Sequence, residues 1–235
     1  MSLLRLGPSA AAKEKRLASL LEGRDVSGLG LAEAVRDAQL FGSLELAGET
    51  ITLDEVRAAR IGHPSSAAAT GLVRAAGAVD PGTPLTVEAL QSWHRTLGLE
   101  PSAGFRTRDR SREPGPPPAP AEFIPSRLGL LQEWLSVESS RELKPAQAGA
   151  LAMARILEIL PFDRGNGRVA RLAASHLMVR AGARPPILVG ADRPRIEACL
   201  QAAFQLSTEP LTSLLDEASE RALDVMIQAL AAGGA

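Results

Sequence analysis

The residues best suited to chemistry lie in one short segment between two predicted helices. Residues 165–167, Gly-Asn-Gly, form a tight turn into a helix N-terminus, where free backbone N–H groups and the helix dipole favour an anion. Arginines stand at positions 164, 168 and 171, and they share one face if helical geometry extends back to residue 164. Three guanidinium groups beside such a turn predict a site for two or more phosphates; the alternative is a glycine-stabilised loop whose arginines pair with surface carboxylates. The predicted phosphate-binding set is Arg164, Gly165, Asn166, Gly167, Arg168 and Arg171.

A second arginine pattern lies in residues 98–125, the only long stretch without helical periodicity. Arginines recur there at every second residue, at positions 106, 108, 110 and 112. In an extended strand all four would project from one face. Loops of this length inside a compact domain are uncommon and are often functional. The pattern therefore indicates either a basic edge that meets a phosphate or an acidic partner, or a solvated loop.

Helical signals dominate the rest of the chain and predict an all-α protein of one domain. The segment 146–162 is apolar on nearly every side, which is typical of a buried central helix. Residues 52–55 have the capping-box pattern, and Asp192 is predicted to cap the helix that follows it. Trp93 and Trp134 lie among leucines at helical spacing and are interpreted as core residues. Helices are predicted over 12–22, 29–41, 52–61, 66–78, 87–97, 127–137, 144–160, 167–181, 193–204 and 210–230.

Composition excludes several classes of protein. The chain has 235 residues, of which 45% are hydrophobic and 23% charged, and this excludes wholesale disorder. Its 26 Lys and Arg against 27 Asp and Glu leave a net charge of −1, so no global field favours nucleic acid or an anionic membrane. No apolar run approaches the roughly 20 residues that span a bilayer. A single cysteine, Cys199, and three scattered histidines predict no disulfide and no metal site, and we expect a protein of the reducing cytoplasm.

The segment from Leu160 to Arg171 is similar to a known family signature. It reads Leu-Pro-Phe-Asp-Arg-Gly-Asn-Gly-Arg-Val-Ala-Arg. It resembles the signature of the Fic family (Fic/Doc, or Fido), which reads H-P-F-x-[D/E]-G-N-G-R-x-x-R. Residues 43–56 resemble the upstream inhibitory region of that family, whose core reads [S/T]-x-x-x-E-[G/N]. Residues 93–97 resemble the helix before the family's β-hairpin flap, and residues 103–108 resemble the flap itself.

The resemblance implies an all-helical, Fic-like bundle with a short β-hairpin flap in the 98–125 insertion. It implies that the signature loop binds ATP phosphates, and that the family enzymes move AMP or another phosphate-containing group onto a hydroxyl of a target protein. On this basis the chain divides into an N-terminal helical segment (1–28), a Fic-like domain (29–185) and C-terminal helices packed on the same domain (186–235). A flap edge can take a partner segment by β-addition. The expected partner-binding residues are Phe105, Arg106, Thr107 and Arg108.

Three positions depart from the family pattern. The general base of the family is the signature His, but Leu160 stands there and cannot accept a proton, and a positioned base is worth roughly 10²–10⁴ in rate. The acidic residue that holds Mg²⁺ in the family is replaced by Arg164, which cannot ligate a metal. The inhibitory Glu is replaced by Ala47, which leaves Ser43 and Gly48 in a degenerate inhibitory motif.

These departures predict a pseudoenzyme that binds ATP, or another nucleotide or polyphosphate, without Mg²⁺ held by the protein. It would act as a regulatory or protein-interaction module, with a protein and a nucleotide as partners and with neither nucleic acid nor a membrane, in a bacterial cytoplasm. The alternative is an active nucleotidyl or phosphoryl transferase of a protein hydroxyl with an altered centre, in which Asp163 is a weak candidate for base or metal ligand. A third interpretation is a purely structural interaction protein whose glycine loop is a remnant.

Overall fold

A computed structural model describes residues 8–25, 28–99, 104–112, 116–137 and 142–232. These residues form ten α-helices and no β-strand, so the all-α prediction is confirmed, whereas the short β-hairpin flap is not found among them. None of the described helices is both long and apolar enough to cross a membrane. Each predicted helix is present, with its ends shifted by a few residues. The helices are α1 (Pro8–Leu21), α2 (Leu31–Leu46), α3 (Leu53–Arg60), α4 (Ala67–Gly77), α5 (Val87–Thr96), α6 (Ile124–Ser136), α7 (Pro145–Ile159), α8 (Asn166–Arg180), α9 (Arg193–Phe204) and α10 (Glu209–Ala232).

Helix α7 is the centre of the fold, as its apolar sequence predicts. It packs along α8 more extensively than any other described pair of helices, and it also contacts α6, α9 and α10. The two backbones approach closely at Gly149, where a Cβ atom would lie 3.1 Å from the side chain of Met178 and 3.3 Å from the carbonyl oxygen of Ala174. The pair therefore fixes the loop between α7 and α8; the predicted phosphate-binding residues lie at the end of this loop and in the first turns of α8.

Helix α2 extends further than the sequence predicts, to Leu46, and it brings a second segment next to α8. Its position is fixed at Gly42, where a Cβ atom would lie 2.0 Å from the carbonyl oxygen of Leu188. Because α2 ends at Leu46, residues 43–46 form its last turn, and this turn contains Ser43 of the degenerate inhibitory motif. Only a glycine permits this close approach of α2 to the backbone at Leu188, so the contact fixes α2 at that point.

The N-terminal helix α1 packs on the C-terminal helix α10. Leu17 of α1 and Leu31 at the start of α2 share an apolar cluster with Leu223, Ile227 and Leu230. This cluster connects the two ends of the chain. The division into segments 1–28, 29–185 and 186–235 stays a prediction.

The two predicted helix caps have different outcomes. Thr52 and Glu55 form the predicted capping box, with the Thr52 N–H 2.8 Å from Oε2 of Glu55 and the Glu55 N–H 3.3 Å from Oγ1 of Thr52. Asp192 occupies the N-cap position of α9, as predicted, but its side chain forms no capping hydrogen bond there, so that part of the prediction is wrong. Its carboxylate accepts from the N–H of Val189 at 2.9 Å and pairs with Arg221 of α10. A distant guanidinium outcompetes the local N–H groups because a charge-assisted pair is the stronger contact.

The two tryptophans have different environments. Trp93 is buried, with 3% of its surface exposed, as predicted. Trp134 is 37% exposed, so its interpretation as a core residue is wrong. Helix α6 turns a different face to the core, through Ile124, Leu128 and Leu131, and this leaves Trp134 partly exposed.

Candidate functional site

The loop between α7 and α8 is held in a fixed turn by the side chain of Asn166. Its Oδ1 accepts from the N–H of Phe162 at 2.9 Å, and its Nδ2 donates to the carbonyl of Phe162 at 2.7 Å. Leu160, which follows α7, adopts a left-handed conformation with φ 49°, at a cost of about 1–2 kcal/mol for a residue with a Cβ atom. Gly165 precedes α8 with φ 77°, and a Cβ atom there would lie 2.5 Å from the side chain of Leu99. The loop can therefore place its groups reproducibly.

All three predicted arginines line one cavity of about 360 Å³ at the start of α8. Arg168 and Arg171 project from α8 itself. Arg164 lies in the loop outside the helix, because the positive φ of Gly165 ends helical geometry there, so the prediction of one shared helical face is wrong for Arg164. In the described structure no side chain caps the N-terminus of α8. The rest of the lining is Leu46, Ala47, Glu49, Leu99, Gly165 and Gly167.

Arg168 is buried but only partly satisfied. With 8% of its surface exposed, it donates one hydrogen bond, from Nη2 to Oε1 of Glu49 at 2.6 Å. Its Nε and Nη1 atoms are buried without a hydrogen-bond partner in the described structure. Leaving buried donors of a charged group unpaired is unfavourable, so the guanidinium has a free-energy reason to donate to a further anionic oxygen.

Arg171 is half-buried and has no carboxylate among its described contacts. Its Nε donates to Oγ of Ser43 at 2.9 Å, and its Nη2 donates to the carbonyl oxygen of Ser43 at 2.7 Å. Burial lowers the pKa of Arg171 to about 9, and the charges of Arg168 and Arg193 act in the same direction. The group remains a cation at neutral pH, so its charge favours an anion in the cavity.

The degenerate inhibitory motif lies against this cavity, at the end of α2. Ser43 holds Arg171, Ala47 lines the cavity with a methyl group, and Gly48 turns the chain with φ 83°. The carboxylate that reaches an arginine is Glu49, two residues after Ala47, and its partner is Arg168. Glu49 was not predicted from the sequence. The signal that could have found it is an acidic residue directly after the glycine that ends the motif.

The arginines of the 98–125 insertion do not form an outward basic edge, so that interpretation is wrong. Arg106 is 2% exposed and donates to the carbonyl oxygens of Ile159 (3.1 Å), Leu160 (2.7 Å) and Arg108 (2.7 Å), and to that of Ala119. The last carbonyls of a helix lack partners within the helix, so they attract donors. The side-chain donors of the insertion therefore close the C-terminal end of α7.

Two further arginines of the row take part in the same closure. Arg112 donates to the carbonyl of Leu157 and lies with its guanidinium 4.4 Å from the ring centre of Phe204. Arg110 donates to the carbonyl of Asp163 at 2.8 Å. The contact of Arg112 fastens the insertion to α7, and the contact of Arg110 fastens it to the loop that contains Arg164.

Of the four residues expected to bind a partner at the flap, Arg106 is not accessible. Phe105 is half-buried, with its ring centre 5.7 Å from that of Phe162. Thr107 and Arg108 are exposed. Since residues 104–112 form no strand, a partner-binding edge reduces to the exposed pair Thr107 and Arg108.

The other titratable candidates do not form a catalytic group. Asp163 is exposed and does not line the cavity, and in the described residues no three His, Cys, Asp or Glu side chains lie close enough to hold a metal ion. His94 is buried, stacks on Phe162 with ring centres 3.9 Å apart, and bonds through Nε2 to the carbonyl of Arg164 at 3.0 Å. Burial lowers the pKa of His94, so this ring is a neutral support of the loop.

The cavity suits an anion and does not suit a metal cation. Its polar lining consists of guanidinium groups, the start of α8 and one carboxylate, that of Glu49, which already pairs with Arg168. Magnesium requires oxygen ligands with near-octahedral geometry. The residues present fit the phosphates of a nucleotide and do not fit a protein-held Mg²⁺.

Comparison with known proteins points to one family. The model of the Fic/DOC family matches residues 84–178. The chain contains a Fic domain. A protein named protein adenylyltransferase Fic from Culex quinquefasciatus is 31% identical over 113 residues, which are 48% of this chain and 22% of that protein. The protein of the same name from Drosophila melanogaster is 30% identical over 149 residues, which are 62% of this chain and 30% of that protein.

Solved structures extend the likeness to nearly the whole fold. A Fic-domain-containing signalling protein from Bacteroides thetaiotaomicron has a TM-score of 0.77 and 21% identity, over 95% of this chain and 98% of that one. Fic-1 from C. elegans has a TM-score of 0.74 and 21% identity, over 94% of this chain and 71% of that one. At these identities the likeness concerns the fold alone. The chain spans less than a third of the length of the two curated relatives.

Proposed function

We propose that this Fic-domain protein binds a nucleotide or polyphosphate through Arg164, Arg168 and Arg171 and the start of α8, and acts as a regulatory or protein-interaction module. The observation that carries the proposal is the half-satisfied guanidinium of Arg168, whose Nε and Nη1 atoms are buried without a partner beside the cavity. Two phosphate oxygens would satisfy these donors and offset the charge of Arg171. The Gly-Asn-Gly turn would supply backbone N–H groups to the same anion.

Leucine in place of the signature His supports a function in nucleotide binding over one in nucleotidyl or phosphoryl transfer. Leu160 has no atom that accepts a proton, and the exposed carboxylate of Asp163 lies outside the cavity lining. Arg164 contributes positive charge where an acidic metal ligand would otherwise stand. Phosphate charge would then be compensated by arginines directly, so binding should not require Mg²⁺.

Isothermal calorimetry with ADP, ATP and pyrophosphate, each in EDTA and in Mg²⁺, tests the proposal. We expect binding that persists in EDTA and that weakens about tenfold, or ~1.4 kcal/mol, in Arg164→Gln. Arg164 is exposed, so this substitution leaves the core intact. Arg95→Gln, an exposed arginine outside the cavity lining, is the matched control and should bind as the parent does. The absence of binding heat for all three anions, or binding only with Mg²⁺, contradicts the proposal.

A second candidate function is an active transferase with altered chemistry, because the relatives are named adenylyltransferases. Phosphoryl and nucleotidyl transfer depend mostly on positioning and electrostatics, so a site without the usual base could act slowly. Intact-mass spectrometry after incubation with ATP and candidate target proteins distinguishes the two. A time-dependent adduct that disappears in Arg168→Ala supports transfer; an unchanged mass under every metal condition supports the binding function.

A further inference from the structure

Helix α6 carries a stripe of apolar side chains on its outer face. Leu130 is 63% exposed and Trp134 is 37% exposed, and Phe123, just before the helix, is 49% exposed. Spacings of seven and four residues place the three side chains on one side of the helix. Single exposed apolar residues are ordinary, but several large ones on one side of a helix indicate an interaction surface.

The stripe borders a groove between α6 and α7. The groove encloses about 400 Å³, and its floor contains the buried side chains of Leu131 and Ile159. Leu130 and Trp134 form one wall, and Leu151 of α7 belongs to the other. An apolar side chain that enters the groove would leave water and contact a preformed apolar floor.

The charge at the groove has one sign. The two charged residues in its lining are Arg127 and Arg155, and no carboxylate lines it in the described structure. Arg127 is exposed and forms no ion pair with a described residue, whereas Arg155 pairs with Glu158 one turn away. An exposed pair of that kind contributes about 0–1 kcal/mol, so Arg155 can exchange its partner. Glu133, the exposed acid on α6, lies about 120° around the helix from Arg127, on the opposite flank.

We propose that the α6–α7 groove docks one amphipathic helix of a partner protein, with its apolar side in the groove and its carboxylates against Arg127 and Arg155. The apolar wall and floor select a helix that presents apolar residues at successive turns. The two guanidinium groups select an acidic helix over a basic one. Helix α6 has 13 residues, about 20 Å, which matches a docked helix of three to four turns.

Two synthetic helical peptides of about 14 residues test the proposal, and their length follows from the groove. Both carry the same leucine face; one has Glu on its flanks and the other has Lys. Fluorescence anisotropy of the labelled peptides with the full chain should give a Kd for the acidic peptide at least about tenfold below that of the basic one. The acidic peptide should also shift the emission of Trp134 to shorter wavelength, while the buried Trp93 gives a constant background.

Charge-reversal variants distinguish specific docking from nonspecific hydrophobic binding. Arg127→Glu with Arg155→Glu should invert the preference, so that the basic peptide binds more tightly. Arg24→Glu with Arg95→Glu makes the same change of net charge at exposed positions away from the groove and should leave the preference unchanged. Leu130→Ser, a substitution at an exposed position of the otherwise unchanged protein, should weaken the binding of the acidic peptide. Equal affinities for the two peptides overturn the proposal. So does a sedimenting dimer that Leu130→Ser dissociates, because a second copy of the chain would then cover the groove.

Discussion

The carboxylate of Glu49 lies 2.6 Å from a guanidinium nitrogen of Arg168, although 119 positions separate the two residues in the chain. The pair places a negative group at the edge of the cationic cavity and satisfies only one of the donors of Arg168. A phosphate that enters the cavity must therefore displace Glu49 or share Arg168 with it. In the proposed function, the affinity of the cavity for anions depends on this competition.

Replacing Glu49 with Gln should strengthen anion binding. The amide keeps the size of the side chain but removes its charge, so Arg168 becomes available to the anion at lower cost. We expect the Kd for pyrophosphate to fall by about tenfold, or ~1.4 kcal/mol. Isothermal calorimetry measures the change.

Asp54→Asn is the control for this prediction, because it makes the same change of net charge at an exposed carboxylate outside the cavity lining. An equal gain in both variants would mean that general electrostatics is responsible. Unchanged or weaker binding in Glu49→Gln would mean that Glu49 does not compete with the anion.

Arg106 should contribute more to stability than any exposed arginine of its row. Arg106→Met removes four hydrogen bonds to carbonyls at the end of α7 and in the insertion, and it leaves buried acceptors unpaired. We expect the free energy of unfolding to fall by about 3 kcal/mol, measured by urea denaturation. Arg108→Met, at an exposed position, should change it by no more than about 0.5 kcal/mol. Equal losses in the two variants would refute the closure of α7 by Arg106.

Two helical glycines should respond to alanine in opposite directions. Gly42→Ala places a Cβ atom 2.0 Å from the carbonyl oxygen of Leu188, so α2 must move. We expect a loss of about 2 kcal/mol or more in the free energy of unfolding. Gly129 lies in α6, and a Cβ atom there would have no heavy atom within 4 Å, so Gly129→Ala should stabilise the protein by about 0.5–1 kcal/mol. Thermal and urea unfolding check both, and a neutral Gly42→Ala would contradict the close approach.

Acidification should destabilise the fold through its buried histidines. Burial lowers the pKa of His94 and of His176 below the ordinary value of 6.5. Below pH 6.5 the unfolded chain takes up protons that the folded chain does not, so each group reduces stability as the pH falls from 6.5 toward its folded pKa. The slope is at most about 1.4 kcal/mol per pH unit for each proton.

Urea midpoints at about pH 7.5 and about pH 5.5, on either side of the ordinary histidine pKa, measure this effect. His94→Gln should reduce the difference between the two pH values, because Gln can still donate to the carbonyl of Arg164 and does not titrate. His63→Gln, at an exposed position, should leave the difference as it is in the parent protein. A difference that His94→Gln does not alter would assign the pH dependence to other groups.

Local signals in the sequence were sufficient to predict the helices. The ten helices of the described residues, the burial of α7 and the capping box at Thr52 and Glu55 were predicted because periodicity and capping depend on residues a few positions apart. The turn at Gly165 was predicted for the same reason. The prediction that Leu160, Arg164 and Ala47 belong to one altered site came from the resemblance of their segments to the Fic family. Arg164 and Ala47 line the same cavity, and Leu160 is not part of that lining.

The tertiary structure alone decided where the arginines point. Arg106 and Arg112 turn inward to the free carbonyls of α7, and Arg168 pairs with Glu49, because long side chains choose among acceptors that the fold brings near from distant parts of the chain. Asp192 likewise pairs with Arg221, which is distant in the chain, and makes no capping hydrogen bond to α9. The packing of the helices leaves Trp134 partly exposed on α6. Residue spacing fixes a helical face, but the packing of the other helices determines which face is covered and which charge meets which partner.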